Sequence, residues 1–224
     1  MLILAITFLT QSLSNAQELL TNGGFESGDL TGWESEGNVF VGDTTQNACC
    51  IPFQGSYFVA FNGGDTPATG KLSQSIETLD HGIYELSFAF GKGGPGGGIA
   101  SLRVSVQGKN LRLEELVSDT NGGQPGNYST FLFTFVSDSK NSILCFEDVS
   151  SGTLSFDALI DSVSIQQAGF IGDINCDGNI DLLDVAPFVE TLTGGGFFEK
   201  ADINQDGEVN LLDVAPFVDL LSGG

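Results

Sequence analysis

Two segments of this chain place oxygen-bearing side chains at alternate positions of a twelve-residue frame, Asp173 to Asp184 (DINCDGNIDLLD) and Asp202 to Asp213 (DINQDGEVNLLD). A hard cation such as calcium takes six to eight oxygens, and a loop supplies them from positions 1, 3 and 5, from a backbone carbonyl at 7, from position 9 and from an acid at 12. The first segment fills those slots with Asp173, Asn175, Asp177, the Asn179 carbonyl, Asp181 and Asp184. The second fills them with Asp202, Asn204, Asp206, the Glu208 carbonyl, Asn210 and Asp213. Gly178 and Gly207 stand at position 6, where the chain must turn sharply. Capping a helix needs one side-chain oxygen, not several converging ones, so two matches in phase predict two bound calcium ions. Crowding that many acids without a cation is unfavourable, and folding of the segment is expected to be coupled to the metal.

The elements around the loops follow from the same pattern. Each loop is followed by Val-Ala-Pro-Phe-Val, and the repeat is 29 residues long. Only an exiting helix is predicted for each, because no amphipathic stretch precedes either loop. Pro187 and Pro216 are comfortable only in a helix's first turn, so the helices are expected to begin late or to bend there. Position 12 is Asp where the common calcium loop has Glu. At positions 10 and 11 stand Leu182-Leu183 and Leu211-Leu212. These leucines either form an apolar surface for a partner or send at least one of each pair inward between the repeats.

Upstream, residues 17–167 read as β structure. Runs such as Tyr57 to Phe61, Tyr84 to Phe90 (YELSFAF), Leu102 to Val106 and Phe131 to Val136 are separated by Gly-, Asn- and Asp-rich turns. In YELSFAF the large residues Tyr84, Leu86, Phe88 and Phe90 alternate, which puts them on one face of a strand. About ten such runs without strand–helix–strand alternation indicate a two-sheet sandwich, with eighteen phenylalanines to fill it. Gly91 to Gly98 (GKGGPGGG) lacks the Gly-Lys-Ser/Thr ending of a phosphate cradle and reads as a hairpin loop. Residues 168–172 read as a linker, and residues 173–224 as the calcium module.

The net charge of −22, carried by 29 acids against seven Lys plus Arg, would repel phosphates, which excludes nucleic acid and anionic membranes as favoured partners. Residues 169–224 hold eleven acids and one base. Residues 1–16 begin with an apolar run, MLILAITF, and end in Ser14-Asn15-Ala16, a small-x-small pattern expected to be cut as a signal peptide. No other stretch is long and apolar enough to span a membrane. Export would expose Cys49, Cys50, Cys145 and Cys176 to oxidation, and a bridge from Cys49 or Cys50 to Cys145 is expected. His81 is the sole imidazole, and no Gly-x-Ser-x-Gly surrounds a serine, so a Ser-His-Asp triad is not supported. Acids are plentiful enough for a glycosidase, but their pairing is not written in the sequence.

The duplicated half-hand at the end of the chain, from Gly172 to about Leu221, resembles the dockerin type I family. That resemblance implies two half-hands packed as a pseudo-twofold pair, a cohesin-like domain as partner, and tethering to an extracellular polysaccharide-degrading or surface-bound assembly. Leu182, Leu183, Leu211 and Leu212 would then be the partner-binding residues. The segment Leu20 to Trp33 (LTNGGFESGDLTGW) and the strand Phe156 to Ile165 (FDALIDSVSI) resemble the opening and closing of bacterial extracellular jelly rolls related to carbohydrate-binding modules. This second resemblance implies a jelly-roll β-sandwich and a further structural calcium held by Glu26 and Asp161. It also implies polysaccharide binding, with Tyr57 and Tyr128 as rim aromatics and Trp33 in the core. The chain as a whole is thus expected to be a secreted, mostly β, non-catalytic binding component, with a matrix protein or a glycoside hydrolase as the alternatives.

Overall fold

Alternation along the strands decides which face of each is buried, and it generates two layers. The computed structural model describes residues 17–45, 50–62, 68–119, 126–151, 154–194 and 196–222. The expected signal peptide therefore lies outside the described residues. The strands are β1 (Glu34–Glu36), β2 (Val39–Asp43), β3 (Tyr57–Phe61), β4 (Lys71–Glu77), β5 (Gly82–Gly93), β6 (Ala100–Gln107), β7 (Leu111–Asp119), β8 (Tyr128–Val136), β9 (Asn141–Asp148) and β10 (Asp157–Phe170). They pair antiparallel into two five-stranded sheets, ordered β1-β4-β9-β6-β7 and β2-β3-β10-β5-β8.

Tyr84, Leu86, Phe88 and Phe90 of β5 are all at most 2% exposed, and they face Leu102, Val104 and Val106 of β6 and Leu144 and Phe146 of β9 in one core. Phe88 joins the sheets directly, its ring stacked on Phe131 at 5.5 Å and edge-on to Phe146 at 5.2 Å. Burial of each such ring contributes about 1.5–3 kcal/mol, which makes this aromatic layer the main stabiliser of the sandwich. Trp33 lies in the same core as expected, 5.6 Å from the Phe25 ring, with its Nε1 donating to the Asn22 carbonyl.

Three expectations are corrected by the fold. The glycine stretch does not loop from Gly91: Gly91–Gly93 complete β5, and the turn begins at Gly94, whose φ of 90° is in the left-handed region. The bridge to Cys145 is not formed. Cys145 is a free thiol on the outer face of β9, whereas Cys50 is packed with Phe58, Ala60 and Leu159 on the outer face of the other sheet, so both layers of the sandwich separate them. Cys49 lies outside the described residues. Nor are residues 168–172 a linker. β10 runs on through Phe170, paired with Gly82, and the Ile171 N–H donates to the His81 carbonyl at 2.9 Å.

The reason is a second hydrophobic cluster that the two parts of the chain share. Ile83 of β5 and Val136 of β8 pack with Ile171, Ile174, Phe188, Ala201, Ile203 and Phe217. Ile174 and Ile203, at position 2 of the two loops, are 7% and 5% exposed, so the C-terminal module buries its core partly against one end of the sandwich. Arg112 closes the edge of this junction, donating from Nε to the Val136 carbonyl and from its guanidinium to the Gln205 side chain.

Candidate metal centre

Each loop leads into a single 3-10 turn, Leu182–Asp184 or Leu211–Asp213, and then into a helix, α1 (Val185–Gly194) or α2 (Val214–Leu221). Pro187 and Pro216 are the third residues of those helices, within the first turn where the missing N–H costs nothing, so the helices begin late and need not bend. The side chain at position 9, Asp181 or Asn210, accepts from the N–H two residues on, and the position-12 carboxylate reaches back to the N–H of position 9. Phe188 and Phe217 pack with ring centroids 4.3 Å apart and their planes tilted by 35°, locking the two half-hands together.

Backbone donors gather the loop oxygens. In the first loop the Asp177 N–H donates both to Asp173 Oδ1 at 3.0 Å and to Asn175 Oδ1 at 2.8 Å, and the Asn179 N–H donates to Asp177 Oδ1 at 2.9 Å. Asp184 Oδ1 accepts from the Ile174 and Asn175 N–H groups at 2.7 and 2.9 Å, and its Oδ2 from Asp181 at 2.9 Å. The second loop repeats this. Asp206 N–H donates to Asp202 Oδ1 and Asn204 Oδ1 at 3.1 and 2.9 Å, and Asp213 accepts from Asn204 at 3.1 Å and Asn210 at 2.8 Å. Gly178 and Gly207 hold φ near 89° and 88°, the left-handed turn that position 6 requires.

These residues fit calcium. Asp184 and Asp213 are completely buried, and Asp173 and Asp202 are 2% and 6% exposed. A buried carboxylate demands a counter-charge, yet among the described residues Lys200 is the module's one cation paired with a loop acid, 3.1 Å from Asp173 Oδ2. The donors are all oxygens, hard ligands that suit calcium over a thiophilic metal. Hydrogen bonds from the Asn175 amide and the Asn179 N–H hold the Asp177 carboxyl below its ordinary value, which favours its anionic form. Among the described residues no three His, Cys, Asp or Glu side chains form a metal cluster by themselves.

The four leucines resolve the alternative left open by the sequence. Leu182 and Leu211 are each 78% exposed, and Leu183 and Leu212 are 65% and 66% exposed, so neither member of either pair packs inward. In the β-sandwich, Glu26 and Asp161 do come together, lining one cavity of about 440 Å³ with Gly24, Gln54 and Gly55. Burial pushes the Asp161 carboxyl above its ordinary value despite hydrogen bonds from backbone N–H groups, and the nearby Glu26 charge adds to the rise. Glu26 accepts from the Ser56 and Tyr57 N–H groups at 2.9 and 3.1 Å. A bulge between Asp161 and Ser164 turns Asp161 into this cavity, and Gly23 permits the close approach of the first segment, since a Cβ there would lie 2.0 Å from the Val163 carbonyl oxygen. Tyr57 packs against the core, and Tyr128 is half-buried with its ring 5.7 Å from Phe53. The Tyr128 hydroxyl is enclosed and has no hydrogen-bond partner among the described residues.

Residues 171–216 match the dockerin type I domain. The C-terminal module is a dockerin type I domain. Ahead of this dockerin, the sandwich superposes on TmCBM61, solved in complex with β-1,4-galactotriose, with a TM-score of 0.51 and 21% identity over 68% of this chain and 99% of that one. The CBM22-1 xylan-binding domain from Paenibacillus barcinonensis Xyn10C gives a TM-score of 0.47 at 18% identity, over 68% and 95%. The first of these likenesses shows that the β domain shares the two-sheet fold of that domain. No curated protein matches the chain. The sequence did not reveal the shared cluster or the Lys200–Asp173 pair, although Lys200 is conspicuous as the single base after residue 169.

Proposed function

We propose that the chain is a secreted, non-catalytic carbohydrate-binding component that its dockerin tethers, through a cohesin-like domain, to an extracellular polysaccharide-degrading assembly. The observation that carries this reading is the pair of oxygen-lined loops leading into exposed Leu-Leu pairs, placed behind a sandwich of carbohydrate-binding-module fold. Calcium, one ion per loop, is held by Asp173, Asn175, Asp177, the Asn179 carbonyl, Asp181 and Asp184, and by their counterparts Asp202, Asn204, Asp206, the Glu208 carbonyl, Asn210 and Asp213. The bound ion supplies the positive charge these buried carboxylates require. The chain's own residues do the rest: backbone N–H groups orient the carboxylates, and the 3-10 turns present the leucines to solvent. A third calcium in the Glu26–Asp161 cavity would relieve the crowding of two acids there and pin the first segment to β10. Among the described residues no helix is long and apolar enough to cross a membrane.

Two assays test the proposal. The full chain is passed over insoluble and soluble polysaccharides with and without calcium, and retention on at least one glycan is expected. Failure on every glycan removes the carbohydrate half and leaves the matrix-protein reading. Binding to cohesin-like domains should require calcium, and sugar release from the same panel would instead establish a hydrolase.

A further inference from the structure

The two calcium loops are near copies in sequence but differ in what touches the first ligand. In the second loop, Asp202 Oδ2 accepts the Gly207 N–H at 2.9 Å. In the first, Asp173 Oδ2 meets the Lys200 ammonium at 3.1 Å, which also contacts Cys176 Sγ at 3.3 Å. The contact is sheltered: the Lys200 side chain is 14% exposed and that of Asp173 is 3% exposed. Lys200 is fixed from both sides, being in the 3-10 turn Glu199–Ala201 and accepting through its carbonyl the Gly172 N–H at 2.8 Å. It lies in the connector between α1 and the second loop, just ahead of Asp202, yet neutralises an acid of the first. No lysine or arginine among the described residues pairs with an acid of the second loop.

We propose that Lys200 makes the two sites inequivalent: it is a resident counter-cation of Asp173 that calcium must share or displace, so the first loop is the weaker site and fills second. The inference rests on the calcium reading of the loops. A calcium ion drawing on Asp173 Oδ1 would share that carboxylate with the ammonium and lie about 5–8 Å from it, and a unit charge that close to a divalent one weakens binding about tenfold even at a water-like dielectric. The same contact compensates a buried carboxylate when calcium is absent, so the first half-hand keeps its form at calcium levels where the second loop has no comparable support.

The test follows the amides of Gly178 and Gly207, one in each loop, by NMR during calcium titration of the full chain. In the wild type, Gly207 should saturate first, at about tenfold lower calcium than Gly178. Lys200→Gln should tighten the Gly178 site about tenfold and leave Gly207 unmoved, and Lys200→Arg, which keeps the charge, should resemble the wild type. An unchanged or weaker Gly178 site in Lys200→Gln would overturn the proposal, as would equal tightening in Lys200→Arg. If neither amide responds to calcium in the wild type, the calcium reading itself falls, and that outcome is distinct from a response that Lys200 does not influence.

Discussion

At the scale of residues, the loop pattern was legible because calcium chemistry asks for fixed residue types at fixed spacing, and no tertiary information is needed to read Asp173-x-Asn175-x-Asp177 as such a pattern. The leucines were not. Their sequence permits an inward or an outward orientation, and only the 3-10 turn that follows each loop decides for outward. A large exposed apolar pair that contributes nothing to its own core marks a contact surface. We therefore expect Leu182→Asp with Leu183→Asp to leave partner binding within about threefold, because Leu211 and Leu212 present the same surface from the other repeat. Changing all four should weaken it by at least about a hundredfold, given that buried apolar anchors carry most of an interface's energy. Both sets should leave the melting temperature unchanged, and surface plasmon resonance against a cohesin-like domain reads the first effect.

At the scale of elements, strands were predicted well where alternation was strict. The middle of β5 is as expected because every second residue is large and apolar. Prediction failed at the ends of strands, where alternation stops but pairing does not. Gly91–Gly93 and Ala168–Phe170 carry no apolar rhythm, yet backbone hydrogen bonds to β10 and β5 respectively keep them in the sheet. The helices are short, eight and ten residues, and such lengths are marginal without tertiary packing. Their main lock is the Phe188–Phe217 ring contact, both residues at most 3% exposed. Phe217→Ala should cost about 3–5 kcal/mol of module stability, which exceeds what a two-helix unit of this size can lose in the absence of calcium. Circular dichroism with and without chelator should show helix signal that survives only in calcium.

At the scale of the whole molecule, the sequence implied two domains on a tether, whereas in the structure the two parts share a hydrophobic cluster. Composition changes abruptly near residue 168, but composition reports solvent and ligand environment and is silent about which cores are shared. The cluster of Ile83 and Val136 with Ile171, Ile174, Phe188 and Ile203, edged by Arg112 and Gln205, joins the dockerin to the sandwich. Calcium binding in the loops should then stabilise the β domain as well, because ligands that bind the native state alone shift the whole equilibrium. Differential scanning calorimetry should show a single transition in calcium, and a chelator should lower the β-sandwich melting temperature by several degrees. Ile83→Ala should uncouple the two parts, giving a sandwich whose melting no longer depends on calcium added to the loops. A sandwich transition indifferent to calcium in the wild type would show that the junction carries no energy.

The claim on which the rest depends is that the duplicated loops bind calcium. Asp177 and Asp206, the exposed position-5 ligands, can be changed with little disturbance to the metal-free fold. Calcium titration calorimetry of the full chain should count the loop ions directly, with two fewer ions bound in the Asp177→Ala, Asp206→Ala protein than in the wild type. A wild-type chain that binds no calcium, or a double variant that binds as many ions as the wild type, would contradict the account.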